Sequence, residues 1–228
     1  MASVAAPLTR GRVYNGSMAS FDDTVPTKLH GDRDEPLSRW LWLVKWLLLI
    51  PHYIVLIFLQ IARLLVTIVA FFAILFTGRY PRALFDFSVG VLRWSWRVGY
   101  YGYSALGTDE YPPFTLKSTD YPADFEVDYP EELSRGLVLV KWWVLAIPHY
   151  LVVSTLSRLA RPVVLVVAVA LLFTDRYPPG LFDLLLGISR WGYRVVAYGS
   201  LLRDEYPPFR LDQGARESDR VNSPAHVS

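Results

Sequence analysis

The chain has 228 residues and a formal net charge of +2, and this near balance gives no reason to expect a nucleic-acid partner. Hydrophobic residues make up 53% of the chain and aromatic residues 15%, a composition typical of proteins that contact membranes. The sequence has no cysteine, which excludes disulfides, thiolate metal sites and a cysteine nucleophile.

Two copies of one unit account for most of the chain. Several motifs recur in the same order at a nearly constant separation, which indicates an internal duplication. They are Lys-Trp at 45 and 141, Pro-His-Tyr at 51 and 148, Arg-Tyr-Pro at 79 and 176, Leu-Phe-Asp at 84 and 181, and Asp-Glu-Tyr-Pro-Pro-Phe at 109 and 204. The predicted parts are a disordered cytoplasmic tail (1–36), a first membrane repeat (37–116), an acidic linker (117–132) with room for one short strand at 125–128, a second membrane repeat (133–211) and a disordered C-terminal tail (212–228).

Each repeat opens with a long apolar run, at 41–76 and at 137–173. Runs of this length are typical of segments that lie in a lipid bilayer. A single helix over the first run would extend ~54 Å, well beyond the ~30 Å hydrocarbon core. We therefore expect two arms and a tight turn in each run, which either cross the bilayer or re-enter one leaflet. The predicted turns lie at Gln60 and Arg63 and at Arg158, Arg161 and Pro162, and kinks are expected at Pro51 and Pro148.

An amphipathic aromatic helix is predicted after each run, at 84–104 and at 181–200. Its polar residues recur at intervals of three and four, which places them on one face. They form a candidate polar or ligand site between the repeats, because acids on an apolar helix can relay protons or bind cations. The alternative is local pairing, for example of the first acid with Arg79 or Arg82. The candidate residues are Asp86, Arg93, Arg97, Asp183, Arg190 and Arg194.

Two histidines and two lysines occupy matching positions in the first arms. Facing imidazoles of His52 and His149 could hold a haem iron, although the simpler interpretation is a hydrogen bond to a carbonyl that the preceding proline frees. No cofactor and no metal is therefore expected, with haem as the alternative. Lys45 and Lys141 lie near a helix end, where lysine reaches the interface, so they are candidate contacts for lipid headgroups.

Charge and motif content bear on orientation and activity. Nearly all arginine and lysine residues lie outside the apolar runs, which predicts that both termini and the linker are cytoplasmic. The sequence lacks the nucleophile elbow, the phosphate-binding loop, the dinucleotide fingerprint and the zinc-protease motif. These absences favour a protein that is not an enzyme.

The succession of Leu-Val-Lys-Trp, Ile-Pro-His-Tyr, Arg-Tyr-Pro, Leu-Phe-Asp and Asp-Glu-Tyr-Pro-Pro-Phe resembles the duplicated bacterial, actinobacterial-type membrane proteins known as domain of unknown function 4389. The resemblance covers roughly residues 37–211. It implies an integral protein of the cell envelope, and it assigns no role to any residue because the family has no established activity. The first copy departs from the pattern at 32–36, which lacks the tyrosine that precedes Pro130.

These observations predict an all-α membrane protein with two tandem repeats, each a hydrophobic helical hairpin plus an amphipathic aromatic helix. The predicted function is a non-enzymatic scaffold or accessory subunit of an envelope complex, or a bilayer-shaping protein of the plasma membrane. The alternatives are a small transporter or channel with a site at the repeat interface, and a haem-binding redox subunit. The expected partners are the lipid bilayer and either another membrane protein or a second copy of the chain.

Overall fold

A computed structural model describes residues 27–34, 36–174, 177–209 and 211 of the chain. The predictions for most of the two tails lie outside the described residues. In chain order the described elements are β1 (Thr27–Gly31), α1 (Trp42–Leu48), α2 (Ile50–Thr77), α3 (Arg82–Tyr101), β2 (Ala123–Val127), α4 (Arg135–Val140), a π-helical turn (Lys141–Leu145), α5 (Ile147–Thr174) and α6 (Pro179–Gly199).

The two apolar runs form long helices, so the prediction of a hairpin within each run is wrong. Helices α2 and α5 have 28 residues each and are therefore ~42 Å long. Arg63 lies in the middle of α2, and Pro162 lies inside α5. An apolar helix satisfies its backbone groups internally, so isolated polar residues and one lost hydrogen bond do not end it.

Each long helix is interrupted just before its proline, where the sequence predicts a kink. Helix α1 ends at Leu48 and α2 begins at Ile50, while α4 continues through the π-helical turn to α5. A proline ring clashes with the preceding turn and lacks an N–H donor, which accounts for both irregular segments. Helix α2 ends at Thr77, and the capping residue Gly78 adopts φ 73° and donates its N–H to the carbonyl of Ile74 at 2.8 Å.

The aromatic helix is the second arm of each hairpin. Helix α3 packs along α2, and α6 packs along α5. The side chain of Gln60 donates to Ser95 at 2.8 Å, and the indole of Trp94 donates to His52 at 3.0 Å. These bonds join the N-terminal half of α2 to the C-terminal half of α3, so the two helices are antiparallel.

A two-stranded antiparallel sheet accompanies the helices, so the all-α prediction is wrong. Strand β1 pairs with β2, with Leu29 opposite Phe125. Residues 27–31 were predicted to belong to a disordered tail. They form β1 instead, in which Leu29 is 2% exposed, and its partner Phe125 in β2 is 0% exposed. Each strand has only five residues, too few for the alternation of buried and exposed positions to stand out in the sequence.

The strands are exchanged between the repeats. Strand β1 precedes the first repeat but packs on α6 of the second, whereas β2 precedes the second repeat and packs on α3 of the first. Arg190 on α6 donates to the carbonyl of Leu29, and Arg97 on α3 donates to that of Ala123, both at 3.3 Å. Each strand thus precedes one repeat in the sequence and packs on the aromatic helix of the other.

Candidate functional site

The lysine that was a candidate for headgroup contact in the first repeat is buried in an ion pair. Lys45 is 2% exposed. Its ammonium donates to the carbonyl of Thr108 at 2.6 Å, lies 3.0 Å from Oδ1 of Asp109 and sits 4.5 Å from the centre of the Tyr101 ring. Burial lowers the pKa of Lys45, and the carboxylate of Asp109 opposes this shift.

The second repeat reproduces this arrangement. Lys141 is 1% exposed, donates to the carbonyl of Arg203 and lies 3.0 Å from Oδ1 of Asp204. Its ammonium sits 4.6 Å from the centre of the Tyr198 ring, and the other carboxylate oxygen accepts from the backbone N–H of Ser134 at 2.6 Å. Both ammonium groups are therefore used inside the fold rather than for contacts with lipid headgroups.

The first histidine lies in an aromatic box built by its own repeat. The imidazole of His52 stacks on Phe114 with ring centres 3.9 Å apart and planes 13° apart, and the ring of Tyr111 lies 4.9 Å away. Nδ1 of His52 accepts the indole N–H of Trp94. The histidine thus accepts a bond from a neighbouring helix, whereas the sequence predicted donation to a carbonyl freed by the proline.

The second histidine has the same surroundings. His149 stacks on Phe209 at 4.3 Å and 16°, with Tyr206 at 4.5 Å and Trp191 in edge contact at 6.2 Å. The closing motifs, 109–114 and 204–209, are thus straps: each binds a lysine with its aspartate and covers a histidine with its tyrosine and phenylalanine. The ring contacts of each imidazole come from its own repeat, which favours a packing role over the facing pair that haem ligation needs.

The arginines of the aromatic helices anchor the sheet and the linker. Nε of Arg93 lies 2.7 Å from Oδ1 of Asp124, and Arg97, which is 0% exposed, lies 3.4 Å from the same oxygen. Arg97 also donates to the carbonyl of Lys117 at 2.9 Å. Because Arg190 holds β1 in the same manner, these side chains join the exchanged strands to the helices.

The acids of the predicted polar stripe are not brought together with these arginines. Asp86 is exposed and lies 3.7 Å from Nε of Arg82, one turn earlier on α3, which is the local pairing that the sequence offered as an alternative. Asp183 is also exposed, whereas Arg194 is buried. The structure therefore offers no shared carboxylate–guanidinium site for proton relay between the repeats at these positions.

A cavity of about 480 Å³ lies where the two repeats meet, between α2, α3, α5 and α6. We call it the boundary cavity. Its charged lining residues are both arginines, Arg63 and Arg161, and none of its lining residues is acidic. The sequence analysis placed these arginines at the turns of the predicted hairpins, although a charged residue inside an apolar run is itself a signal of function. The polar lining residues include Gln60, Arg63, Ser95, Ser157, Arg161 and Ser189.

The outer faces of α2 and α5 are apolar and exposed. Both helices are long and apolar enough to cross a membrane, yet only 11% and 22% of their most apolar windows are buried. The central helix of a soluble protein would instead be mostly covered. Exposed side chains on α2 include Phe58 at 68%, Leu64 at 60% and Phe76 at 72%.

Comparison with known proteins gives one match. A family model described as Domain of unknown function (DUF4389) matches residues 39–115 and 138–210. The two matched segments coincide with the duplicated motifs. No curated protein and no solved structure matches the chain. Within the described residues no three His, Asp or Glu side chains are grouped so that they could hold a metal ion.

Proposed function

Because the chain belongs to the DUF4389 family, whose description states no activity, we propose from its geometry that it is a non-enzymatic membrane scaffold anchored in one leaflet. In this proposal α2 and α5 lie in the membrane plane, and the sheet and linker face the cytoplasm. One observation carries it: the apolar helix α2 and the acidic linker lie at the same level of α3, on different sides of that helix.

The level follows from two contacts. The bond between Gln60 and Ser95 sets the middle of α2 beside α3. Arg93, two positions before Ser95, pairs with Asp124 on another face of α3. If α2 crossed the bilayer, Asp124 and the exposed Lys117 would lie near its centre, where one charged side chain costs roughly 3 kcal/mol or more.

An in-plane position avoids this cost. An amphipathic helix in the interface buries its apolar face by roughly 5–10 Å and leaves the opposite side in water. The flanks of α2 agree with this position, because Arg39 precedes the helix and Arg79 and Arg82 follow it. Positive residues favour the cytoplasmic side, so basic flanks at both ends support two ends on one side.

The proposed role is to shape the bilayer or to provide a docking surface in it, rather than to carry out chemistry. Two ~42 Å helices inserted into one leaflet expand that leaflet relative to the other. The buried polar side chains support a non-enzymatic role, since Lys45, His52 and Arg97 each bind groups of the protein itself. The exposed apolar faces are also the surface on which another membrane protein or a second copy of the chain would dock.

Single-cysteine labelling tests the topology, because the natural chain has no cysteine. We expect Trp40→Cys before α1 and Thr77→Cys at the end of α2 to react with a membrane-impermeant maleimide from the same side of reconstituted vesicles. Thr119→Cys in the exposed linker is the reference for that side. Labelling of Thr77→Cys only from the side opposite to Thr119→Cys would show that α2 crosses the bilayer and would overturn the proposal.

A further inference from the structure

We propose that the boundary cavity binds the phosphate of an anionic phospholipid headgroup through Arg63 and Arg161. The proposal rests on the proposed function, because it needs α2 and α5 to face a leaflet. It adds a specific ligand class to a surface that otherwise binds lipid without selectivity.

The charge of the boundary cavity favours an anion. Within the described part of the chain neither Arg63 nor Arg161 pairs with a carboxylate, and the lining contributes two positive charges and no negative one. Arginine binds phosphate oxygens through two parallel N–H bonds, which makes it the side chain best suited to a phosphate ester. The exposed hydroxyl of Ser157 adds a further donor, whereas the hydroxyls of Ser95 and Ser189 donate to carbonyls of their own helices.

Arg63 is held in position with donors to spare. Its Nε donates to Gln60 at 2.8 Å, and one terminal nitrogen donates to the hydroxyl of Ser200 at 2.6 Å. A guanidinium has five N–H donors, so these two bonds fix its orientation and leave others for a ligand. Because Ser200 follows α6, the bond also ties the first repeat to the second at the edge of the boundary cavity.

The two arginines are exceptions to the duplication. With His52 aligned on His149, Arg63 corresponds to Ala160 and Arg161 corresponds to Leu64. Each copy therefore supplies one arginine that the other lacks, and the two line one cavity. Each charge also stands inside an apolar helix, where it is costly unless it serves a ligand or a polar cavity.

Access and size fit a headgroup whose acyl chains stay in the leaflet. Arg161 and Ser157 on α5 line the boundary cavity and are exposed, so the cavity is accessible from outside the protein. Helices that lie in the interface sit at the boundary between headgroups and acyl chains, which is the level of the phosphate. A volume of about 480 Å³ is within the range of small-molecule sites.

The test measures lipid retention by the full chain in detergent micelles, by native mass spectrometry with added phosphatidylglycerol or phosphatidylcholine. We expect tighter retention of phosphatidylglycerol, weakened about tenfold by Arg161→Gln and further by Arg63→Gln with Arg161→Gln. Arg161 is exposed and bonds to no described protein group, so its substitution leaves the fold intact. Arg158→Gln, an exposed arginine on the same helix outside the cavity lining, is the matched control and should change retention less than twofold.

Two results would overturn the inference. One is an equal loss of phosphatidylglycerol in Arg158→Gln and Arg161→Gln, which would show a diffuse charge effect. The other is displacement of phosphatidylglycerol by an equal concentration of inorganic phosphate, which would identify a soluble phosphate as the ligand. Lipid retention in micelles does not depend on how the chain lies in a membrane. The lipid site and the proposed topology can therefore be contradicted separately.

Discussion

Breaking the ion pair between a strap and its lysine tests what the straps do. We expect Asp109→Asn to lower the free energy of unfolding by about 2 kcal/mol, because the ammonium of Lys45 stays buried without its carboxylate. Removing one partner of a fully buried pair costs roughly 3–5 kcal/mol, but Asp109 is 27% exposed and water screens part of its charge. The carbonyl of Thr108 and the ring of Tyr101 remain and limit the loss.

The cost of Asp109→Asn should shrink as the pH rises. Burial lowers the pKa of Lys45 and Asp109 opposes that shift, so the variant lowers this pKa further. Between the folded-state pKa and the unfolded value of about 10.4, the unfolded chain binds more protons than the folded chain. The free energy of unfolding therefore rises with pH in this window, and the variant approaches the unmodified chain near its upper end.

Denaturant unfolding of the detergent-solubilised chain, followed by tryptophan fluorescence at about pH 7 and about pH 9.5, measures both effects. Asp86→Asn is the matched control, because it removes the same charge from a pair with Arg82 that is exposed on both sides. We expect that control to change the free energy of unfolding by less than about 0.5 kcal/mol. Equal losses for Asp109→Asn and Asp86→Asn, or a cost independent of pH, would show that the buried ammonium of Lys45 does not depend on the carboxylate of Asp109.

Two further predictions concern stability, and each compares a pair of variants. Trp94→Phe removes an indole donor that makes a 3.0 Å hydrogen bond, so unfolding measurements should show a loss of about 1 kcal/mol. Trp191→Phe removes a buried indole N–H that has no partner among the described residues, so it should cost less. Equal costs would mean that the hydrogen bond does not contribute. Gly107→Ala would place its methyl 2.2 Å from Cζ of Tyr100 and should lower the melting temperature, while Gly136→Ala in α4 meets nothing within 4 Å and should raise stability by up to about 1 kcal/mol. A neutral Gly107→Ala would mean that this contact relaxes freely.

The duplication could be predicted from the sequence because it depends only on motif order. The same motifs predicted the aromatic helices close to their observed bounds, since their polar residues recur with helical spacing. The hairpin prediction was wrong because it compared only the length of each run with the thickness of the hydrocarbon core. It placed turns at Arg63 and Pro162, which lie within continuous helices. An in-plane helix has no such length limit.

The sites could not be predicted because their contacts are not local. Lys45 and Asp109 are both visible as repeated residues, but no periodicity links a helix residue to a strap 64 positions later. The exchange of β1 and β2 is similarly hidden, since each strand packs on a helix of the other copy. The sequence did offer one signal, because a lysine and an aspartate both recur in the two copies. Their opposite charges favoured an ion pair over a contact with a lipid headgroup.

Residues that are the same in both copies have a different role from residues that differ between the copies. The straps, lysines and histidines are the same in both copies and make equivalent ion-pair and ring contacts, so they specify the repeat unit; the indole bond from Trp94 to His52 belongs to the first copy. The boundary cavity lies between the copies, where α2 and α5 need not be identical. At one of its positions the first copy has Arg63 and the second copy has the equivalent Ala160. A site between the two copies can acquire a charged residue without disturbing the lysine–aspartate pair of either copy. Selectivity for a ligand is therefore expected at positions where the copies differ, and stability at positions where they agree.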